Sequence, residues 1–244
     1  MTASCPAARV RTRLHYVDFD GLRTGAAFVD LPLGKFGFSA KRVELPDGRE
    51  VVNLDDADDY VGAVADRLEE SPQVLIGYCG GAYLAYRLMV ALAEAGTAPR
   101  VVVMIDPEPG DPEARRGQYA RLLGQLGAEE DRAATLAQMR ASLARAYDGF
   151  VSGLPEADRP LFAEEREQTL DRYVGWLAFV GAGSTPPPAI DVPFRVLLSR
   201  EMVPPPWVDE SLVVRVEAGQ EDLLASEEAA AVLAKMAREA GRSR

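Results

Sequence analysis

The apolar pattern is sharpest at Gln73-Val74-Leu75-Ile76, a short run that runs straight into glycine, as expected of a strand buried on both faces. Residues 100–105 repeat the pattern and end at Asp106; residues 194–198 and 212–216 repeat it again later. Residues 11–19 alternate polar and apolar positions and predict an earlier strand. Residues 26–31 are a further apolar run, ahead of Pro32-Leu33-Gly34, and are expected to be a strand as well. Val43-Glu44-Leu45 leads into a Pro46-Asp47-Gly48 turn. Helices separate these runs. One starts near Asp55 and puts Tyr60, Val61, Val64, Ala65 and Leu68 on one face behind an acidic first turn. A second, rich in Ala and Leu, covers residues 82–95 and is closed by Gly96. A last one starts at Ser226-Glu227-Glu228 and ends near Ala240. Strands alternating with helices predict a mostly parallel sheet flanked by helices.

Residues 110–188 break that rhythm. Helical patterns at 119–126, 133–147 and 161–179 follow one another without a strand, and Gly181-Ala182-Gly183 and Pro186-Pro187-Pro188 close the block. It reads as a helical lid, an insertion of about residues 111–188 between two strands of one sheet; an ordinary helical layer is the alternative. The whole of 1–244 is then a single α/β domain.

The composition changes little in this picture. A chain of 244 residues, 48% hydrophobic and 27% charged, can bury a sizeable core unaided. The net charge of −11 and the lack of a basic face argue against a nucleic-acid partner. Two cysteines, Cys5 and Cys79, do not make a disulfide framework, and a single histidine, His15, argues against a histidine-rich metal site. His15 falls in an early strand and reads as structural. No signal segment or membrane-length apolar run is visible, so the expectation is a cytoplasmic, reduced protein away from membranes, with no cofactor or metal implied.

The candidate chemistry sits between the buried strand that ends at Ile76 and the helix over residues 82–95. Gly77-Tyr78-Cys79-Gly80-Gly81 is a G-x-S-x-G turn with cysteine in place of serine. A nucleophile there is exposed at the sheet edge, small neighbours let the turn close, and the helix N-terminus favours a thiolate. A structural cysteine in a glycine-rich loop is the plain alternative.

With these residues in place, the stretch from Leu54 to Leu233 resembles the thioesterase branch of the α/β-hydrolases, enzymes that release acyl chains from polyketide and peptide carrier proteins. The resemblance rests on the helix before the turn, the run from Val74 to Gly81, the strand ending at Asp106, the helical insertion, and Ile190-Asp191-Val192-Pro193 before a late strand. It implies the α/β-hydrolase fold and an acyl or peptidyl carrier protein, bearing a phosphopantetheine-linked chain, as partner. Serine is common at the position of Cys79, while stand-alone Dieckmann-type cyclases use cysteine. The resemblance gives Asp106 the place of the acid and puts the histidine at Gln220, in Val216-Glu217-Ala218-Gly219-Gln220. Glutamine is no base at neutral pH. Glu221 or Asp222 is a possible substitute, and Gln220 is also placed to hydrogen-bond Asp106. The resemblance further implies an oxyanion site from the Gly80 N–H and a second N–H near Leu33 or Gly34. Tyr78 belongs beside the nucleophile, and Tyr147, Phe150, Tyr173, Trp176 and Phe179 are candidates to line an acyl channel.

A cysteine without a histidine can still take an acyl chain by thioester exchange, whereas water has no obvious activating base. The expectation is release by cyclisation or transfer. The alternatives are a hydrolytic thioesterase and a catalytically degenerate hydrolase serving as a binding or scaffold protein.

Overall fold

The computed structural model describes residues 12–19, 26–54, 56–108, 113–183 and 193–242. Among them, six strands form one sheet: β1 (Leu14–Val17), β2 (Ala40–Arg42), β3 (Val74–Tyr78), β4 (Val101–Ile105), β5 (Phe194–Leu198) and β6 (Val213–Arg215). Their order is β2-β1-β3-β4-β5-β6, and every neighbouring pair is parallel. All residues of β3 and β4 are buried, which is why both read as unbroken apolar runs.

Side chains alternate between two cores. Leu75, Val102, Met104, Val196 and Leu198 face α2 (Ala57–Ala65), α3 (Gly80–Glu94) and the insertion. Val74, Ile76, Val103, Ile105 and Leu197 face α7 (Glu227–Arg242), which is packed with Phe28, Leu31 and Leu33. Local chemistry sets the helix ends. Asp56 caps α2 by accepting from the Asp58 and Asp59 N–H groups, and Ser226 does so for α7 through Ala229. Gly96 ends α3 at φ +73°, a conformation that costs a side chain more than it costs glycine.

Three helices lie between β4 and β5: α4 (Ala114–Gln125), α5 (Leu136–Gly153) and α6 (Arg159–Gly183). The second half of α6 buries Leu170, Val174, Leu177, Phe179 and Ala182 and packs on α2, α3 and the short α1 (Gly48–Val51). Asp171 ties it down, accepting a 2.9 Å contact from Arg49 of α1 and a 2.8 Å contact from Arg140 of α5. Gly48 lies so close that a Cβ there would stand 2.3 Å from the Asp171 carbonyl oxygen. This half of α6 is a fixed layer of the fold.

Two local expectations change and one is refined. Residues 26–31 are not a strand: Phe28–Asp30 is a 3₁₀ turn whose Phe28 stacks on Tyr16, so Phe28 and Leu31 serve the α7 face without joining the sheet. Gly181-Ala182-Gly183 closes the block as the last residues of α6 itself, with the helix running through them, and Gly183 meets the backbone of α3. The second strand of the chain falls at Ala40–Arg42, just before Val43-Glu44-Leu45. Pro186-Pro187-Pro188 and Ile190-Asp191-Val192 lie outside the described residues.

His15 sits in β1, 5% exposed, with Nδ1 lacking a partner. Burial, then Lys41, holds its imidazole below the ordinary 6.5. A neutral His15 in the fold and a protonated one after unfolding make stability complete above that value and decreasing as pH falls below it. Urea titrations across this range should show wild type losing up to about 1.4 kcal/mol per pH unit relative to His15→Leu. Parallel pH curves for the two proteins would contradict this account of His15.

Candidate active site

The strand ends build the site in steps. Beyond β3, the Cys79 N–H donates to the Ile105 carbonyl at 2.8 Å. Beyond β4, the Asp106 N–H donates to the Leu197 carbonyl at 2.9 Å. Beyond β5, the Ser199 N–H turns back and donates to Asp106 Oδ1 at 2.7 Å. Cys79, Asp106 and Ser199 thus stand on three adjacent strand ends. Tyr78 pairs in register with Ile105, so Cys79 and Asp106 occupy facing positions one step further on.

Both residues are conformationally unusual. Cys79 has φ 53° and ψ −124° at the N-cap of α3, and Asp106 has φ 41°. Among the described residues they are the only non-glycine positions with positive φ, a costly conformation that persists where the surroundings enforce it. The enforcement at Cys79 is steric. A Cβ on Gly77 would lie 2.2 Å from the Gly81 carbonyl oxygen, and one on Gly81 would lie 2.6 Å from the Val17 carbonyl oxygen. Strand β1, strand β3 and helix α3 meet here backbone to backbone. Cys79 itself is half-buried.

Asp106 is fully buried, and its Oδ2 has no hydrogen-bond partner. Burial pushes its carboxyl up, the Ser199 amide opposes this, and Glu201 adds a like charge. Gln220 is exposed and does not bond Asp106; its backbone N–H donates to Glu201 Oε2 at 3.2 Å. Glu201 in turn is held by Arg200, which keeps its carboxyl below the usual range. Glu201 therefore braces the loop in which a histidine was expected. Glu221 and Asp222 are both exposed. His15 pairs with Leu75, four residues below Cys79, or about 13 Å at the rise of a strand, and is out of reach of the thiol.

Gly80 begins α3, with its amide at the helix N-terminus beside Cys79. Leu33 and Gly34 lie in a 3₁₀ turn, Leu33–Phe36, packed on α7, and the Leu33 N–H is already bonded to the Leu31 carbonyl at 2.7 Å. The backbone that abuts the elbow from β1 is instead Val17, followed by Asp18 and Phe19. Tyr78 is buried on the α7 side.

A wall of aromatic rings comes from α6. Phe179 lies 3.4 Å from where a Gly81 Cβ would stand, Trp176 stacks on Phe179 at 5.7 Å, and Phe19 packs on both. Tyr173 is half-buried, and burial, then Tyr147 of α5, pushes its hydroxyl up. Tyr147 is core, donating to the Phe162 carbonyl, and Phe150 packs edge-on to Phe162.

The family profile described as Thioesterase domain matches residues 46–160, a span that contains both Cys79 and Asp106. The chain is thioesterase-like. Solved structures that share its fold include two thioesterases. One is the RedJ thioesterase from the prodiginine biosynthetic pathway in Streptomyces coelicolor, at 18% identity over 98% of this chain and 91% of that one, TM-score 0.53. The other is the Vlm2 thioesterase domain with genetically encoded 2,3-diaminopropionic acid bound with a dodecadepsipeptide, at 13% identity over 95% and 98%, TM-score 0.51. No curated protein matches the chain.

In this thioesterase-like fold a hollow of about 230 Å³ opens at the ends of β1 and β2, lined by Asp18, Phe19, Arg42, Arg172 and Gly175 among others. Phe19 is shared between the hollow and the aromatic wall. A larger one of about 660 Å³ lies between α4 and α5, lined by Leu123, Arg145 and Phe150, in the insertion and away from the strand ends. Sequence reasoning missed Ser199, Glu201 and Phe19. Ser199 had a signal, as the first polar residue after an apolar run, in the same position as Asp106; Glu201 had none.

Gly81→Ala would drive a methyl into the Val17 carbonyl. It is expected to cost about 3 kcal/mol or more in urea unfolding, since the obstacle is backbone and has no rotamer to yield. Unchanged stability would contradict the steric account of the elbow.

Proposed function

We propose that Cys79 takes an acyl chain from a pantetheine or carrier-protein thioester and that a nucleophile within the chain, not water, releases it as a ring. The observation that carries the reading is the elbow: backbone contacts hold Cys79 at positive φ on a strand-to-helix turn, where Gly80 presents its amide. A structural cysteine has no need of such a conformation.

In this reading Cys79 is the nucleophile, the Gly80 N–H holds the oxyanion, and Asp106 is the neighbouring acid-base group. Trp176 and Phe179 form the apolar side of the acyl site, with Phe19 leading into the hollow beyond β1. Tyr78 and Tyr173 frame the site from the α7 side and from α6; the turn at Leu33 and Gly34 supports the α7 side. In this reading the lid is the rest of the insertion, α4, α5 and the first half of α6, beside the fixed second half of α6. Gln220 fills the place of the base without serving as one, and hydrolysis is slow because water has no partner to activate it. The dodecadepsipeptide in Vlm2 and the biosynthetic pathway of RedJ support natural-product assembly as the setting; the carrier-protein donor is part of the proposal. A reduced, cytoplasmic compartment keeps the thiol available.

The test is intact-mass analysis after incubation with a set of acyl-pantetheine thioesters, with Cys79→Ala as control. An acyl adduct on wild type that is absent from the variant is expected, with free-acid release slower than adduct formation. No adduct with any chain type, together with a Cys79 inert to iodoacetamide, would leave the scaffold reading standing. Rapid free-acid release would make the protein a hydrolytic thioesterase.

A further inference from the structure

The face of α6 that meets the elbow continues beyond it. Phe179 lies against Gly81, Trp176 stacks on Phe179, and Arg172 follows on the same side, since positions 172, 176 and 179 share one helical face. Seven residues of helix carry this face about 10 Å away from the elbow. There it reaches the hollow of about 230 Å³ at the ends of β1 and β2. Phe19, Val43, Leu45 and Pro46 give the hollow apolar walls, and Arg172 stands among its lining residues.

The charges around the hollow are not equivalent. Asp171 is ion-paired with Arg49 at 2.9 Å and with Arg140 at 2.8 Å. Asp47 accepts the Arg49 and Glu50 amides, at 2.8 and 3.0 Å, as the cap of α1. Asp18 and Arg42 also line the hollow, but Val17 and Val43 belong to the core under α3. Alternation therefore turns Asp18 and Arg42 to the opposite face, where both influence the Tyr16 hydroxyl. Arg172 is exposed and makes no ion pair among the described residues. In a chain of net charge −11, which repels anions as a whole, it is the cation that this hollow offers to a ligand.

We propose that Arg172 binds the phosphate of the donor's phosphopantetheine arm, with the branched dimethyl group of the arm seated in the hollow. The proposal rests on the acyl-enzyme reading given above. Length selects this ligand. An extended arm spans about 16 Å from sulfur to phosphorus at roughly 1.2 Å per bond, which covers the helix face of about 10 Å and leaves the remainder to the reach of the arginine side chain. The order of groups agrees as well. The arm carries its charge at the far end and its methyl groups just before it, and the track ends in aliphatic walls and then a cation. A carboxylate on the acyl chain has the same chemistry as the phosphate, but it has no fixed distance from the thioester.

The test follows acylation of Cys79 by intact mass at rising concentrations of acetyl-4′-phosphopantetheine and of acetyl-pantetheine, which differ only in the phosphate. Wild type is expected to reach half-maximal rate at about fivefold lower concentration of the phosphorylated donor, the upper end for an ion pair open to solvent, with the same maximal rate. Arg172→Gln should raise the half-saturating concentration of the phosphorylated donor alone, while Arg172→Lys keeps part of the difference. High salt should shrink the wild-type difference. Equal half-saturation of wild type by the two donors, a preference that survives in the Gln variant, or a Gln variant impaired equally with both donors would each overturn the assignment. A preference for an octanedioyl over an octanoyl chain on pantetheine, abolished by Arg172→Gln, would put the acyl chain at Arg172 in place of the arm and overturn it too. The S-ethyl thioether of 4′-phosphopantetheine cannot donate an acyl group and separates this assignment from the reading it rests on. Calorimetric binding of the thioether that needs both the phosphate and Arg172, in a protein that forms no adduct, would remove the acyl-enzyme reading and keep the anion site. Binding indifferent to the phosphate or to Arg172 would remove the anion site.

Discussion

Everything at the strand ends depends on one close contact, where the carbonyl of Val17 meets the α-carbon of Gly81. With the matching contact between Gly77 and the Gly81 carbonyl, it fixes how near β1, β3 and α3 approach. No side chain fits in that space, so the turn has a single way to close, and that way forces Cys79 to positive φ. The strain is held in place by the two cores that clamp the sheet, one under α2, α3 and α6 and the other under α7. Chemistry at Cys79 is thus linked to burial on both faces of the sheet.

The same parallel register distributes the remaining groups. Each strand end donates one amide to the next, which brings Cys79, Asp106 and Ser199 into line and leaves one carboxylate oxygen unused. Asp106 is the other non-glycine residue with positive φ among the described residues, and the two unusual conformations stand in facing positions. Helix α6 completes the arrangement. Its Gly183 touches the Gly80 carbonyl and its Phe179 lies against Gly81, so the insertion is anchored to the elbow it overlies.

Much of this was legible in the sequence because the determinants are local. The strands β3, β4 and β5 are apolar runs that hardly any other structure explains, and the paired glycines around Cys79 state the turn directly. Asp106 followed from its place at a strand end. What failed to show was tertiary. Residues 26–31 have strand-like composition, yet Phe28 is drawn onto Tyr16 and the α7 face instead of into the sheet. The glycines at 181 and 183 read as a helix stop, and α6 does end at Gly183, but the contact of Gly183 with α3 did not show. Glu201 braces the loop of Gln220 from another strand end, and only the folded chain brings the two together.

The most direct test of the account is a crystal structure of the protein after reaction with chloroacetyl-pantetheine. The account predicts a thioether on Cys79 with its φ still positive, the acetyl oxygen facing the Gly80 amide, and the pantetheine arm leaving along the Trp176–Phe179 wall. An unmodified Cys79, or a first turn of α3 unwound to let the thiol react, would contradict it.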